Sequence, residues 1–297
     1  MRATGSVRIK HDNWKLELSP AQGARIVSCA WRGREILTRG TPGLWAHEED
    51  AGCFPLVPWS NRIRDGQLRL DEGCIDLSAL KRGSAHPLHG LGWQMAWTPE
   101  RITQDAVRLT HEYAQKEWPW TYESTFDVSI SGDALTLVLS VTNTSNTSMP
   151  AGLGFHPYFP RPAGLEAKLA AKDMWETEPS NPGIPVRKRE NAVATDVFKN
   201  QSLTEVDLDN CFTGWDRQAV LRDNAQGHEV RLTANSALQH AVVYCPADQG
   251  FLCIEPVSHV NDATNISDLA SSEQMALLSP GATLTGKLTI SCALLPS

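Results

Sequence analysis

The chain has 297 residues, 41% of them hydrophobic and 21% charged, with a formal net charge of −7. That apolar share supplies a sizeable core and excludes a disordered polymer. The acidic balance argues against a broad nucleic-acid or anionic-membrane surface, and no stretch approaches the roughly 20 apolar residues of a membrane helix.

The N-terminal MRATGSVRIKHDNW has no apolar secretory core, so a soluble, cytoplasmic protein is expected. VRIKH, WKLELS and RIVSCAW are then three predicted strands, short and alternating or wholly apolar. CFPLVPWSNRIRDG, residues 53–66, reads as a stiff approach to a loop, with Pro55 and Pro58 limiting the backbone. Asn61 offers an amide donor and acceptor, and Arg62 and Arg64 offer planar forks of donors. Such a loop can grip sugar hydroxyls, with Trp59 over an apolar sugar face. An ordinary surface loop whose arginines pair with carboxylates is the alternative.

HPLHGLGW, residues 86–93, sets His86 and His89 three apart, which raises the question of a metal. Pro87 argues against a shared helix, no third ligand has zinc-like spacing, and no metal is expected. Gly90 and Gly92 permit close approach or positive φ after His89. AVRLTHEY, YESTFDVSI and ALTLVLSVTNTS are further predicted strands.

In GLGFHPYFP, residues 152–160, Pro157 biases His156 toward extended backbone and marks an expected end of strand pairing. Phe155 and Tyr158 are expected to hold the imidazole, and Gly152 and Gly154 to leave room for a ligand or for neighbouring backbone. The polar, Pro-containing region 172–210 reads as a long surface excursion. Near its end, Asp209 is a candidate acceptor for ligand hydroxyls.

HEVRLTA and HAVVYCP are predicted strands, and GFLCIEP is another that ends at Glu255–Pro256. A carboxylate there is a candidate general base or a member of a structural ion pair. A short helix is predicted around 262–270, and TLTGKLTISCALL closes the chain as a strand. Helical periodicity is otherwise scarce, so residues 1–297 are expected to form one all-β domain, a large antiparallel β-sandwich. The seven cysteines form no CxxC, and they read as buried reduced thiols.

Taken together and in this order, SNRIRDG, HPLHG, GFHPYF and IEPVSHVNDATN resemble the aldose 1-epimerase (galactose mutarotase-like) family. The motifs span residues 53 to 265. The resemblance implies the family's supersandwich with a sugar cleft and the exchange of α and β anomers of a free aldose. It implies no cofactor and no metal. With the acidic balance, no nucleic-acid or membrane partner is expected, and a monomer or homodimer is. Position by position, Glu255 matches the general base and His156 the general acid. Asn61, Arg62, His89 and Asp209 match substrate-binding positions. HGLGW lacks the second glycine that galactose-acting members carry directly after the first, and Val242 stands where some relatives place a glutamine.

Anomer exchange removes the O1 proton and protonates the ring oxygen. Ordinary values of about 4.3 for Glu and 6.5 for His make Glu255 the base at pH 7 and leave His156 mostly neutral. A nearby carboxylate or ligand hydroxyl is therefore expected to raise His156. A hexose-phosphate mutarotase is an alternative that would use Arg62, Arg64 and Lys81–Arg82. A non-catalytic carbohydrate-binding protein is another, and it would have no need of Glu255 and His156 together.

Overall fold

The computed structural model describes residues 5–40, 52–178, 180–190 and 206–296. Strands come in quick succession, as the alternating sequence predicts. They begin with β1 (Val7–His11), β2 (Trp14–Ser19), β3 (Arg25–Trp31), β4 (Arg34–Leu37) and β5 (Cys53–Leu56). Then come β6 (Gln67–Leu70), β7 (Gly73–Asp76), β8 (Thr98–Arg101), β9 (Ala106–Tyr113), β10 (Tyr122–Ser131) and β11 (Ala134–Asn143). β12 (Met149–Ala151), β13 (Gly154–Pro160), β14 (Glu166–Leu169), β15 (Asp173–Glu178), β16 (Asn181–Arg189) and β17 (Leu208–Thr213) follow. The last are β18 (Gln218–Asp223), β19 (His228–Ala234), β20 (His240–Cys245), β21 (Phe251–Val257), β22 (Ala276–Leu278) and β23 (Thr283–Leu294).

Two antiparallel sheets carry the fold. The larger has 11 strands, in the order β1-β2-β3-β5-β13-β21-β20-β17-β15-β16, with β4 beside β3. The smaller has 8, in the order β14-β18-β19-β23-β11-β10-β9-β8. Alternation sends one face of each sheet into a shared core. Phe155, Val243 and Ile254 of the large sheet lie there with Phe126, Leu137 and Ile290 of the small one. The opposite face of the large sheet has a second apolar cluster, including Phe54, Tyr158, Cys211, Val242 and Cys253. No described helix is long and apolar enough to cross a membrane. All seven cysteines are free, and only Cys74 is exposed.

Three sequence expectations are corrected. The described residues of region 172–210 are strands of the large sheet, not a surface excursion: β15 and β16 form a hairpin, and β17 pairs with both β15 and β20. Its prolines and charges hid the strands; residues 191–205 lie outside the described ones. The helix expected around 262–270 is a single 3-10 turn, Ala263–Asn265. Finally, neither His156 nor Glu255 ends a strand, since β13 runs on to Pro160 and β21 to Val257. Pro157 interrupts one side only. It still faces Cys53 of β5, whereas the β21 register passes from Gly154↔Val257 to Tyr158↔Cys253 with no pair between.

Candidate active site

Strand register builds the floor of the site. Phe54 faces His156, and the pairs flanking the gap in the β13–β21 ladder set His156 across from Glu255. Glu255 faces Val242, and Val242 faces Cys211. One rung along, Tyr158, Cys253, Tyr244 and Asp209 form a parallel row. Because side chains two residues apart share a face, both rows belong to the face turned away from the shared core.

Two loops build the rim. Val57 carbonyl accepts the N–H groups of Leu91 and Gly92, and Asn61 carbonyl accepts the His89 N–H. Asn61 N–H donates to His89 Nδ1 at 3.1 Å, and Arg62 N–H to Asn61 Oδ1 at 2.9 Å. Gly90 has φ +70, and a Cβ there would meet the Val57 carbonyl oxygen at 2.2 Å, so glycine is required as the sequence suggested. A third segment locks the rim. Buried His259 accepts the Ser60 N–H at Nε2 (3.1 Å) and faces the Val260 carbonyl through Nδ1 (2.8 Å). Asp262 accepts Arg64 N–H at 2.8 Å and Arg64 Nε–H at 3.0 Å.

All six residues singled out in the sequence line one cleft of about 510 Å³: Asn61, Arg62, His89, His156, Asp209 and Glu255. Tyr158, Glu178, Asp207 and Tyr244 line it as well. Of these, sequence reasoning saw only Tyr158, and only as packing; register alone brings Tyr244 beside Asp209. Trp59 is not available to cover a sugar. It is fully buried in the core against Trp118, ring centroids 5.1 Å apart. Gly152 and Gly154 make room for the chain rather than a ligand, facing the His259 ring and the Pro256 carbonyl.

His156 is held between Phe54, stacked at 4.7 Å, and Tyr158, stacked at 4.6 Å. Phe155, expected in that role, alternates into the core, and Phe54 of the neighbouring strand replaces it. His156 Nε2 lies 3.3 Å from Glu255 Oε1, and both side chains are at most 5% exposed. The carboxylate expected near His156 is therefore present, yet the imidazole is not raised. Burial first, then the charge of Arg25, push it down to about 3, so it is neutral in the open cleft. Burial also holds His89 well below 6.5, with His156 and Arg62 adding to it. Because His89 Nδ1 accepts a backbone N–H, its Nε2 carries the proton and is a donor.

Arg62 Nη1 approaches Asp209 Oδ2 at 3.6 Å. Burial raises Asp209 while Arg62 opposes that shift. His86 is turned elsewhere: its Nδ1 accepts Asp65 N–H and its Nε2 lies 2.7 Å from Asn181 Oδ1. Among the described residues, His89, His156 and Glu255 bring ligand-capable atoms within 4.8 Å of one another. A cation there would have to displace the Nε2 proton of His89 while Nδ1 keeps its backbone bond. Donor chemistry thus disfavours a metal.

Comparison with known proteins agrees with this architecture. The family model described as Aldose 1-epimerase matches residues 6–291. The uncharacterized protein YphB of Escherichia coli K12 is 28% identical over 95% of this chain and 97% of its own length. A galactose mutarotase-like protein of Clostridium acetobutylicum superposes with a TM-score of 0.85 at 18% identity, covering 98% of this chain and 95% of that one. Galactose 1-epimerase of Lactobacillus acidophilus NCFM gives 0.76 at 15% identity, over 98% and 95%.

Proposed function

Because the chain belongs to the aldose 1-epimerase family, we propose that its cleft interconverts the α and β anomers of a free aldose. The observation that carries this reading is the buried Glu255–His156 pair, 3.3 Å apart at the floor of a sugar-sized cleft. Glu255 takes the O1 proton as the C1–O1 bond becomes a carbonyl. The C1–O5 bond breaks, its electron pair goes to O5, and His156 gives O5 a proton. Rotation about C1–C2 presents the other aldehyde face, and the same two groups work in reverse for closure. His156 is neutral in the open cleft, so the proton it lends is replaced by Glu255 across their contact, and the pair ends as it began.

The remaining groups hold and orient the sugar. His89 Nε2–H, the Asn61 amide and the Arg62 guanidinium are donors, and Asp209 is an acceptor, which suits vicinal hydroxyls. A free aldose fits better than a hexose phosphate. Arg62 is the one cation among the described lining residues and already faces Asp209, while Glu178 and Asp207 add negative charge. Arg64 is engaged by Asp262, and Lys81 and Arg82 border a separate small pocket.

Polarimetry of freshly dissolved α-anomers across a panel of free aldoses tests the reading. Decay of optical rotation faster than the spontaneous rate is expected with at least one sugar. Unaccelerated decay throughout would leave a sugar-binding sandwich without turnover. His156→Asn is expected to lower kcat by about 10²-fold or more. A loss confined to KM in that variant would make His156 a binding group instead.

A further inference from the structure

The hairpin β15–β16 does more than extend the sheet. Its register is irregular: Thr177 pairs with Pro185 and Glu178 with Asn181, so the residues between Asn181 and Pro185 bulge out. The bulge docks on the rim of the cleft through several contacts. Gly183 carbonyl accepts the buried Asn261 side-chain N–H at 3.1 Å, and Pro185 carbonyl accepts from Arg64 at 3.0 Å. His86 meets Asn181 at the near end, and Lys188 pairs with buried Glu273 at the far end, 2.7 Å apart. Against this anchored bulge lies the side chain of Arg62. A Cβ built on Gly183 would sit 1.9 Å from Arg62 Nη1 and 2.8 Å from its Cζ.

We propose that Gly183 is a positioning residue: its bare Cα is the backstop that fixes where the Arg62 guanidinium stands in the sugar cleft. The reasoning is steric. The guanidinium has Gly183 on one side and Asp209, 3.6 Å from Nη1, on another. Any side chain at 183 drives the guanidinium off its place, and the bulge cannot retreat because its ends and its carbonyls are tied. The residue type is doubly constrained, since φ of +75 also favours glycine.

The inference rests on the reading that Arg62 binds the sugar, and the test separates the two. Gly183→Ala is compared with Gly227→Ala, which has a similar φ of +66 but no atom within 4 Å of the added Cβ. Both variants carry the backbone strain; only the first meets Arg62. Gly183→Ala is expected to raise KM about tenfold, with kcat changed far less, as for loss of a binding group. Gly227→Ala should keep the wild-type KM. In an Arg62→Ala background, Gly183→Ala should add nothing further to KM, because the group it displaces is gone. Crystal structures of the two single variants should show Arg62 moved in the first only. An unmoved Arg62, or additive effects in the double variant, overturns the proposal. Should the wild type turn over no aldose, the Arg62 positions alone still decide whether Gly183 sets them.

Discussion

Glu255→Gln is expected to lower the rate of anomer exchange by about 10³-fold or more while leaving the fold intact, within the range of a lost acid–base role. The substitution keeps the side-chain volume in a position 2% exposed, so the packing around it is preserved. What it removes is the ability to take a proton from O1. It also ends the return of a proton to His156 across the 3.3 Å contact, so both halves of the exchange fail together. Polarimetry of wild type and variant side by side, with circular dichroism melts as the check on folding, decides the matter. Undiminished turnover in a folded Glu255→Gln protein would take the base role away from Glu255 and, with it, the proposed mechanism.

A second large effect concerns acid. Burial holds His89 and three further imidazoles far below their ordinary value near 6.5: His156 at about 3, and His111 and His259 at about 4. A depressed histidine is neutral in the folded chain and binds a proton in the unfolded chain below 6.5. Its contribution is therefore complete above pH 6.5 and is lost as pH falls toward the folded value. Between pH 6.5 and 5 each loses roughly 1.5 kcal/mol, because the full slope of about 1.36 kcal/mol per unit is reached only below 6.5, and the three roughly 5 kcal/mol. A domain with a total stability of about 5–15 kcal/mol cannot absorb that without a marked loss. Asp209 and Asp262, raised by burial, act in the opposite sense, over the lower carboxylate range. Urea titrations at pH 7.5 and pH 5 should show a much lower midpoint in acid. Equal midpoints would mean that these rings ionise normally and are not sealed from water.

Much of the fold was legible because its signal is local. Alternation in WKLELS, AVRLTHEY and HEVRLTA names strands whatever they pair with, and β2, β9 and β19 lie where those stretches do. The hairpin β15–β16 was not legible, because NPGIPVRKR has prolines and charges where an isolated strand would have neither. It is held by tertiary ties that no window of sequence contains. At the site, the six candidate residues were found through motif resemblance, and the cleft that gathers them is a property of register. Trp59 shows the limit of reasoning from residue type: an indole beside Ser60 and Asn61 suggests a sugar platform, but its backbone turns it into the core. The expected rise in the His156 pKa failed for a related reason. A carboxylate neighbour was foreseen, whereas the depth of burial and the charge of Arg25 were not.

The ties between the rim loops and the 258–262 segment also bear on how the protein comes into being. Ser60 meets His259 across 199 residues of chain, and Arg64 meets Asp262 across 198. During synthesis the N-terminal half of the candidate site leaves the ribosome long before the segment that locks it. Closing so wide a loop is slow, because its entropy must be lost before any contact repays it. Nascent chains that stop short of residue 250 lack both Glu255 and the lock. Assembly of the cleft thus waits for the segment that follows residue 250.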